Sequence, residues 1–265
     1  MTRSQLVDRF SELGVRPGEV LLVQASLRAL GPVAGGGDTV VAALLEVLGP
    51  RGTLVAYTST PENSSTSRLV TTMMRGWTPE QVSAWRAAMP PFDPDETPAS
   101  PTVGRLSELV RTHPGALRSS HPQSSFAAVG ARAEEITELH ELTCHLGERS
   151  PLGRMYEIGA RVLTIGVPMA KFTAFHLADL RVPDGRVRHY GCVVRDGEGG
   201  RWIHFDGPHL DDLHFQELGD EVLRVATGVV EARIGGADCR LIPMREAVDL
   251  AVPVLLRRRG TAPPE

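Results

Sequence analysis

The chain has 265 residues with 28 basic and 32 acidic side chains, which gives a net charge of −4. Its hydrophobic content of 42% is ordinary for a folded protein and excludes a chain that is disordered as a whole. No apolar run approaches the ~20 residues of a membrane-spanning helix, the first residues lack the pattern of a signal peptide, and no basic excess favours nucleic acid. We therefore expect a cytoplasmic protein, monomeric or homodimeric, without membrane or nucleic-acid partners.

The first part of the chain has the pattern of a β–loop–α–β unit. Apolar spacing predicts a helix over residues 3–14, and two short apolar runs, 20–23 and 53–57, predict buried parallel strands. Between these strands a glycine-rich loop, residues 31–38, leads to a helix for which Asp38 is the predicted N-cap. Units of this kind usually belong to an α/β sheet with right-handed crossovers.

The rest of the chain continues this alternation after one interruption. Residues 58–101 are rich in Ser, Thr and Pro around a predicted helix at 79–88, and so long a segment favours an excursion over a functional site. Beyond it the pattern predicts helices at 103–110, 133–142, 173–180, 210–226 and 245–256, strands at 126–129, 162–167 and 240–242, and a hairpin of strands 187–194 and 201–205. The expected fold is a single α/β/α domain of mixed topology over residues 1–265.

The loop after the first predicted strand is the first candidate site. Ser26 and the backbone amides of residues 26–31 follow the carboxyl end of a strand, where ligands of open α/β sheets bind. They could hold a phosphate or a pantetheine amide, although a plain connection between strand and helix explains the loop equally well. The glycines at 35–37 belong to neither a Walker sequence nor a GxGxxG fingerprint.

The segment 118–126, just before a predicted strand, is the second candidate. It combines Arg118, His121 and several hydroxyl groups, and such a set can position an anionic ligand. A loop whose polar groups only bond one another is the alternative.

The third candidate is the predicted helix that carries Thr173, His176 and Asp179. Residues three apart share a helix face, so the imidazole can lie beside both the hydroxyl and the carboxylate. A neighbouring carboxylate raises the basicity of an imidazole, which suits a general base with a pKa near or slightly above 6.5. An ordinary surface contact between His176 and Asp179 is the alternative.

The fourth candidate is the run 204–214, which holds three histidines and three aspartates. A metal site is one interpretation, but the Gly207-Pro208 interruption breaks the ligand spacing, and we predict no metal. An acidic loop that faces a substrate and a merely solvated loop are the alternatives. The absence of a GxSxG sequence excludes the nucleophile elbow of a serine hydrolase.

Taken together, these segments resemble the aminoglycoside 3-N-acetyltransferases, a family distinct in fold from the GNAT acetyltransferases. The resemblance runs from about residue 3 to about residue 257. Its blocks are residues 21–33, 36–37, 52–55, 92–94, 97–98, 118–119, 121–122, 125–130, 147–148, 150–153, 163–167 and 173–179. Two motifs depart from the family. The first loop begins Gln24-Ala25-Ser26 where the family has His-Ser-Ser, and Asp179 stands where the family pattern Thr-x-x-His-x-x-Glu has its glutamate.

The resemblance implies acetyl transfer from acetyl-CoA to the 3-amino group of a 2-deoxystreptamine aminoglycoside, which confers antibiotic resistance. It implies that His176, polarised by Asp179, removes the proton of the amine while Thr173 bonds the reacting groups. Backbone amides of the first loop are the expected donors to the oxyanion. The residues expected to contact coenzyme A come from the first two candidate segments: Gln24, Ala25, Ser26, Leu27, Arg28, Ser119, His121, Ser125 and Phe126.

A polycationic drug also needs carboxylates. The predicted ones are Glu62 and Asp93 in the excursion, and Asp206 and Asp211 in the run 204–214, which also holds Asp212. Three other functions stay open at this point: an acetyltransferase of the same fold acting on another amine in a biosynthetic pathway, a protein that binds the drug without modifying it, and a metal-dependent hydrolase.

Overall fold

The computed structural model describes residues 1–182 and 184–260, so Pro183 and residues 261–265 of the predicted domain lie outside the described residues. Nine strands are described: β1 (Val20–Ala25), β2 (Thr53–Tyr57), β3 (Leu117–Arg118), β4 (Phe126–Gly130), β5 (Arg161–Ile165), β6 (Val187–Asp196), β7 (Gly199–Pro208), β8 (Val230–Ile234) and β9 (Ala237–Pro243). Seven of them form one sheet in the order β3-β4-β2-β1-β5-β9-β8, and β6 and β7 form a separate hairpin.

The centre of the sheet is parallel and its flanks are antiparallel. Strand β1 pairs in parallel with β2 and β5, whereas β4 and β9 run antiparallel to their neighbours. The carboxyl ends of the three parallel strands therefore meet at one edge, at Ala25, Tyr57 and Ile165. Ligands of open α/β sheets bind at such an edge.

Helices cover both faces of this sheet. The described helices are α1 (Arg3–Leu13), α2 (Leu27–Leu30), α3 (Gly36–Leu48), α4 (Arg68–Met73), α5 (Pro79–Ala88), α6 (Arg105–Arg111), α7 (Ala133–Thr137), α8 (Pro151–Ile158), α9 (Phe175–Arg181), α10 (Phe215–Val225) and α11 (Met244–Arg259). In β1, Leu21 and Val23 face a core shared with α1, α3 and α6, whereas Val20 and Leu22 face one shared with α7 to α11. The predicted α/β/α architecture of mixed topology is confirmed.

Several predicted boundaries are corrected. Helix α3 is capped by Gly35 in the left-handed region (φ 81°), so Asp38 lies in its first turn and is not the N-cap. Helix α7 ends at Thr137 instead of continuing to residue 142, because His140 turns inward and bonds Ser119. The patterns missed α8, although Ser150 caps it and Pro151 opens it as such residues commonly do, and they missed the edge strand β8.

The excursion 58–101 contacts both the hairpin of β6 and β7 and the 118–126 segment. The Asn63 side chain bonds both backbone groups of Val193, at 2.8 and 2.9 Å, and the Trp202 indole donates to the Arg86 carbonyl at 3.0 Å. Only the last residue of the excursion, Pro101, lines the cavity described below. The excursion thus borders the cavity at Pro101, and its position over the substrate site stays a prediction. No helix among residues 1–182 and 184–260 is long and apolar enough to cross a membrane.

Candidate active site

A cavity of about 400 Å³ opens at the carboxyl ends of the parallel strands. Strands β1 and β2, the turn before α6, the loop before α9 and the start of α10 all contribute to its wall. Its lining residues are Val23, Gln24, Ala25, Ser26, Tyr57, Pro101, Thr102, Val103, Gly104, Ser107, Val167, Ala170, Lys171, Thr173, His176, Asp212 and Phe215. The cavity thus brings together the first and third candidate segments of the sequence, which are about 150 residues apart in the chain.

Gln24 joins these two segments directly. Its amide nitrogen donates to the Thr173 hydroxyl at 2.8 Å and to the Lys171 carbonyl, and its amide oxygen accepts from the Thr173 backbone N–H at 3.2 Å. Both ends of the amide are therefore used to hold the loop before α9 against the end of β1. The Thr173 hydroxyl accepts one bond from Gln24 and lines the cavity, where its own proton can be donated.

The His176 ring lies in the wall of the cavity at the start of α9. Its Nδ1 is buried and has no hydrogen-bond partner among the described residues, and the ring packs edge-on against Phe215 with centroids 4.7 Å apart. Desolvation lowers the pKa of His176 to about 4 and outweighs the charge of Asp179, which raises it. The expected pKa near 6.5 is thus corrected, and the imidazole is neutral, the form a general base requires.

Asp179 does not contact His176 as the helical spacing predicted. Its carboxylate, 4% exposed, pairs instead with the Arg259 guanidinium of α11 and lies 3.1 Å from Nε2 of His214. An aspartate has one methylene fewer than a glutamate. The two competing partners come from α11, which packs against α9, and from the residue that precedes α10. The carboxylate therefore acts on His176 through its charge and not through a hydrogen bond.

Tyr57 is a cavity residue that the sequence patterns did not single out. It is the last residue of β2, at the same sheet edge as Ala25, and its ring packs on Phe126 with centroids 4.9 Å apart. Burial raises the pKa of Tyr57 to about 12, so the phenol stays protonated and able to donate. Its position at the end of a parallel strand was the one signal that pointed to it.

Two of the five residues predicted to contact coenzyme A in the first candidate segment, Leu27 and Arg28, lie in α2 and outside the cavity wall. Leu27 packs into the core between α3 and α6, and the Arg28 side chain is exposed.

The second candidate segment, 118–126, lies in the protein interior and contributes no residue to the cavity wall. His121 is 1% exposed: its Nε2 donates to the Leu142 carbonyl at 3.0 Å, and its Nδ1 accepts from the backbone N–H groups of Gln123 and Ser124, both at 3.1 Å. Both ring nitrogens are used. The structure thus places His121 in the interior and outside the cavity wall, while its predicted contact with coenzyme A stays a prediction.

The other predicted cofactor residues of this segment are equally enclosed. Ser119, Ser125 and Phe126 are each 0% exposed. The Ser119 hydroxyl accepts from the Phe126 backbone N–H at 2.9 Å and bonds Nδ1 of His140 at 2.9 Å. The Ser125 hydroxyl bonds Arg118, which also holds carbonyl groups of the excursion. These contacts make 118–126 the hydrogen-bonded loop that the sequence left as an alternative.

The predicted drug-binding carboxylates of the excursion are engaged elsewhere. Glu62 accepts from the Ser100 hydroxyl at 2.6 Å, and Asp93 pairs with Arg195 of the hairpin at 2.7 Å. Neither side chain lines the cavity.

In the run 204–214, the structure brings Asp212 to the cavity instead of the two predicted aspartates. Asp206 is exposed on β7 and pairs with His189 at 2.9 Å, and Asp211 lies 4.0 Å from Arg186. Asp212 lines the cavity, with Lys171 at 3.5 Å. Among the described residues no group of three or more His, Cys, Asp or Glu side chains is arranged to hold a metal ion.

With the fold and the cavity described, the sequence and the structure of the chain can be compared with those of known proteins. The family model for aminoglycoside 3-N-acetyltransferase matches residues 22–255. The chain belongs to this family. It is 35% identical to aminoglycoside N(3)-acetyltransferase III from Salmonella, over 99% of this chain and 94% of that protein. The resemblance seen in the sequence and the expectation of an acetyltransferase are thereby confirmed.

Solved structures of the family superpose on the whole chain. AAC-VIa bound to sisomicin is 30% identical, with a TM-score of 0.86 over 97% of this chain and 98% of that one. AAC-IIIb in a binary complex with CoASH is also 30% identical, with a TM-score of 0.85 over 100% of this chain and 99% of that one.

Proposed function

We propose that this aminoglycoside 3-N-acetyltransferase family member transfers the acetyl group of acetyl-CoA to the 3-amino group of a 2-deoxystreptamine aminoglycoside, in the cytoplasm, where acetyl-CoA is available. The observation that carries the proposal is a neutral His176 in the wall of a cavity at the carboxyl ends of three parallel strands, with Thr173 beside it. A neutral imidazole can accept the proton that an ammonium must lose before it attacks a thioester.

Coenzyme A binds, in this proposal, against Gln24, Ala25 and Ser26. These residues end β1 and line the cavity, and the relative AAC-IIIb is described in complex with CoASH. Because the 118–126 segment is buried, we do not include it in the cofactor site.

The reaction needs one proton acceptor and one donor to the oxyanion. His176 takes a proton from the amine, whose nitrogen then forms a bond to the thioester carbonyl carbon. Thr173 or a backbone amide of the first loop donates to the resulting oxyanion. As the carbon–sulfur bond breaks, the proton on His176 passes to the departing thiolate and the former amine nitrogen releases its second proton to solvent. The products are the N-acetylated drug, free coenzyme A and one proton.

The cationic substrate is held by charge. Asp212 is the carboxylate in the cavity wall, and its neighbour Lys171 is 66% exposed, so an ammonium group of the drug can displace it. Sisomicin, which is bound to the relative AAC-VIa, is a ligand of this chemical class.

The direct test is mass spectrometry of gentamicin, apramycin and neomycin after incubation with the protein and acetyl-CoA. We expect at least one drug to gain the mass of one acetyl group, with release of one thiol. Thiol release with other amines and with none of these drugs would replace the proposal by the biosynthetic alternative. Drug binding by calorimetry without acetylation would replace it by the non-catalytic one.

A further inference from the structure

Two side chains from distant parts of the chain, Arg259 and His214, converge on the carboxylate of Asp179. Arg259, the last residue of α11, donates to the Asp179 carboxylate and also to the Asp179 and Val182 carbonyls. His214, which directly precedes α10, places Nε2 3.1 Å from the same carboxylate oxygen, Oδ1. One oxygen of this buried acid is therefore approached by two donors.

The His214 contact is close but is not an aligned hydrogen bond, since its buried Nε2 has no partner in good hydrogen-bond geometry among the described residues. His214 and His176 also share a neighbour. Both rings pack edge-on against Phe215, with centroids 5.1 and 4.7 Å away. The two imidazoles thus pack on the same benzene ring, and that of His214 also lies next to the carboxylate.

We propose that His214 is a positioning residue for the base His176: by holding the shorter acid Asp179 in place, it does part of what a longer acid at position 179 would do by direct contact. The proposal rests on the proposed function. Asp179 has no direct bond to His176, so its effect depends on where its charge is held. The charge of Asp179 raises the pKa of His176, and positive charge on His214 lowers it, so both groups act on the imidazole through space.

His214 does not belong to the cavity wall, whereas its neighbours Asp212 and Phe215 do. A substrate in the cavity therefore meets His176 and not His214. This separation predicts that a change at His214 alters kcat and leaves both KM values nearly unchanged, which a change in a substrate-contacting residue would not do.

The experiment compares His214→Phe with His214→Gln in steady-state kinetics. Phenylalanine keeps a ring against Phe215 but has no donor, whereas the amide of glutamine restores a donor to Asp179. We expect kcat to fall about fivefold in His214→Phe, less than for a lost aligned hydrogen bond to a charged group, and to recover most of that loss in His214→Gln. His214→Leu is a second donorless variant if the Phe variant does not fold, and His113→Phe is the control.

A double-mutant cycle with Asp179→Glu separates positioning from loss of stability. The longer acid moves its carboxylate away from the place that His214 contacts, so His214→Phe should cost much less in the Asp179→Glu background. Equal costs in the two backgrounds, or an unchanged kcat in His214→Phe, would overturn the proposal. If the wild-type protein acetylates no amine, the proposed function fails instead, and the two failures are thus distinguishable.

Discussion

His176 and His121 are both candidate site histidines in the sequence, but the structure gives them opposite surroundings. Each has at least one hydroxyl-bearing residue within three positions in the chain: Thr173 for His176, and Ser119, Ser120 and Ser124 for His121. His121 uses both ring nitrogens in bonds to the backbone and is 1% exposed. His176 lines a cavity, and its Nδ1 has no hydrogen-bond partner among the described residues.

The difference shows where polar side chains become available for chemistry. At the carboxyl ends of parallel strands the backbone turns away and leaves side chains such as Thr173 and Ser26 around open space. The 118–126 segment instead returns to the sheet through β3 and β4, so its polar groups are enclosed and must bond one another. The first region is suited to binding and catalysis, and the second to stability.

Filling the cavity should have the largest effect on binding. Ser26→Trp places a bulky ring in the cavity wall, so acetyl-CoA binding should become undetectable by calorimetry while the protein stays folded. Ser83→Trp, on the exposed surface of α5, is the matched control and should bind normally. Unchanged affinity in Ser26→Trp would show that coenzyme A binds elsewhere.

The buried histidines of the second region should make the free energy of unfolding depend on pH. Burial lowers the pKa of His121 to about 4 and that of His140 to about 3, whereas unfolded histidines titrate near 6.5. Between these values the unfolded chain binds more protons, so the free energy of unfolding should decrease as the pH falls below 6.5 and be independent of these groups above it. The expected slope is on the order of 1 kcal/mol per pH unit for each buried histidine.

Chemical denaturation between pH 7.5 and 5 measures this slope. His140→Asn should make it shallower, even though the variant is less stable at pH 7, and His113→Asn should leave it unchanged. A wild-type stability that is flat from pH 6.5 to 5 would mean that these histidines are not buried in the neutral form.

A smaller effect is expected at the mouth of the cavity. Asp212→Asn should raise the KM for the drug by about two- to fivefold, because a partly exposed ion pair contributes at most about 1 kcal/mol, and should weaken the rise of KM with ionic strength. Asp8→Asn, on the surface of α1, has the same charge change without a role in the cavity. Equal KM values and salt dependence for both variants would remove Asp212 from the drug site.

Much of the fold was predictable because local patterns and burial agree. The apolar runs at β1, β2 and β5 are buried on both sheet faces, and each became a parallel strand. The wrong predictions concern elements whose bounds or pairing depend on residues distant in the sequence. Helix α7 stops early because His140 bonds Ser119, and the exposed strand β8 has no continuous apolar run.

The candidate site was predictable in part for the same reason. Ser26, Thr173 and His176 follow the ends of strands, so topology alone brings them to one cavity. The partner of Asp179 was not predictable, since Arg259 lies 80 residues away and reaches it only through the packing of α11 on α9. The choice between Asp211 and Asp212 depends on one residue of register before α10, which spacing does not settle.

The most direct test of the account measures the pH dependence of kcat/KM for acetyl transfer in the wild type, His176→Ala and His121→Ala. His176→Ala should reduce kcat/KM by about 10²- to 10⁴-fold, the usual contribution of a general base, with unchanged thermal stability. In the wild type, kcat/KM should fall with decreasing pH only below pH 6.5, because burial lowers the pKa of His176 to about 4. This decrease should be absent from the pH profile of His176→Ala. His121→Ala should lower stability while the folded protein keeps its kcat/KM. A nearly wild-type His176→Ala together with an inactive but folded His121→Ala would contradict the account.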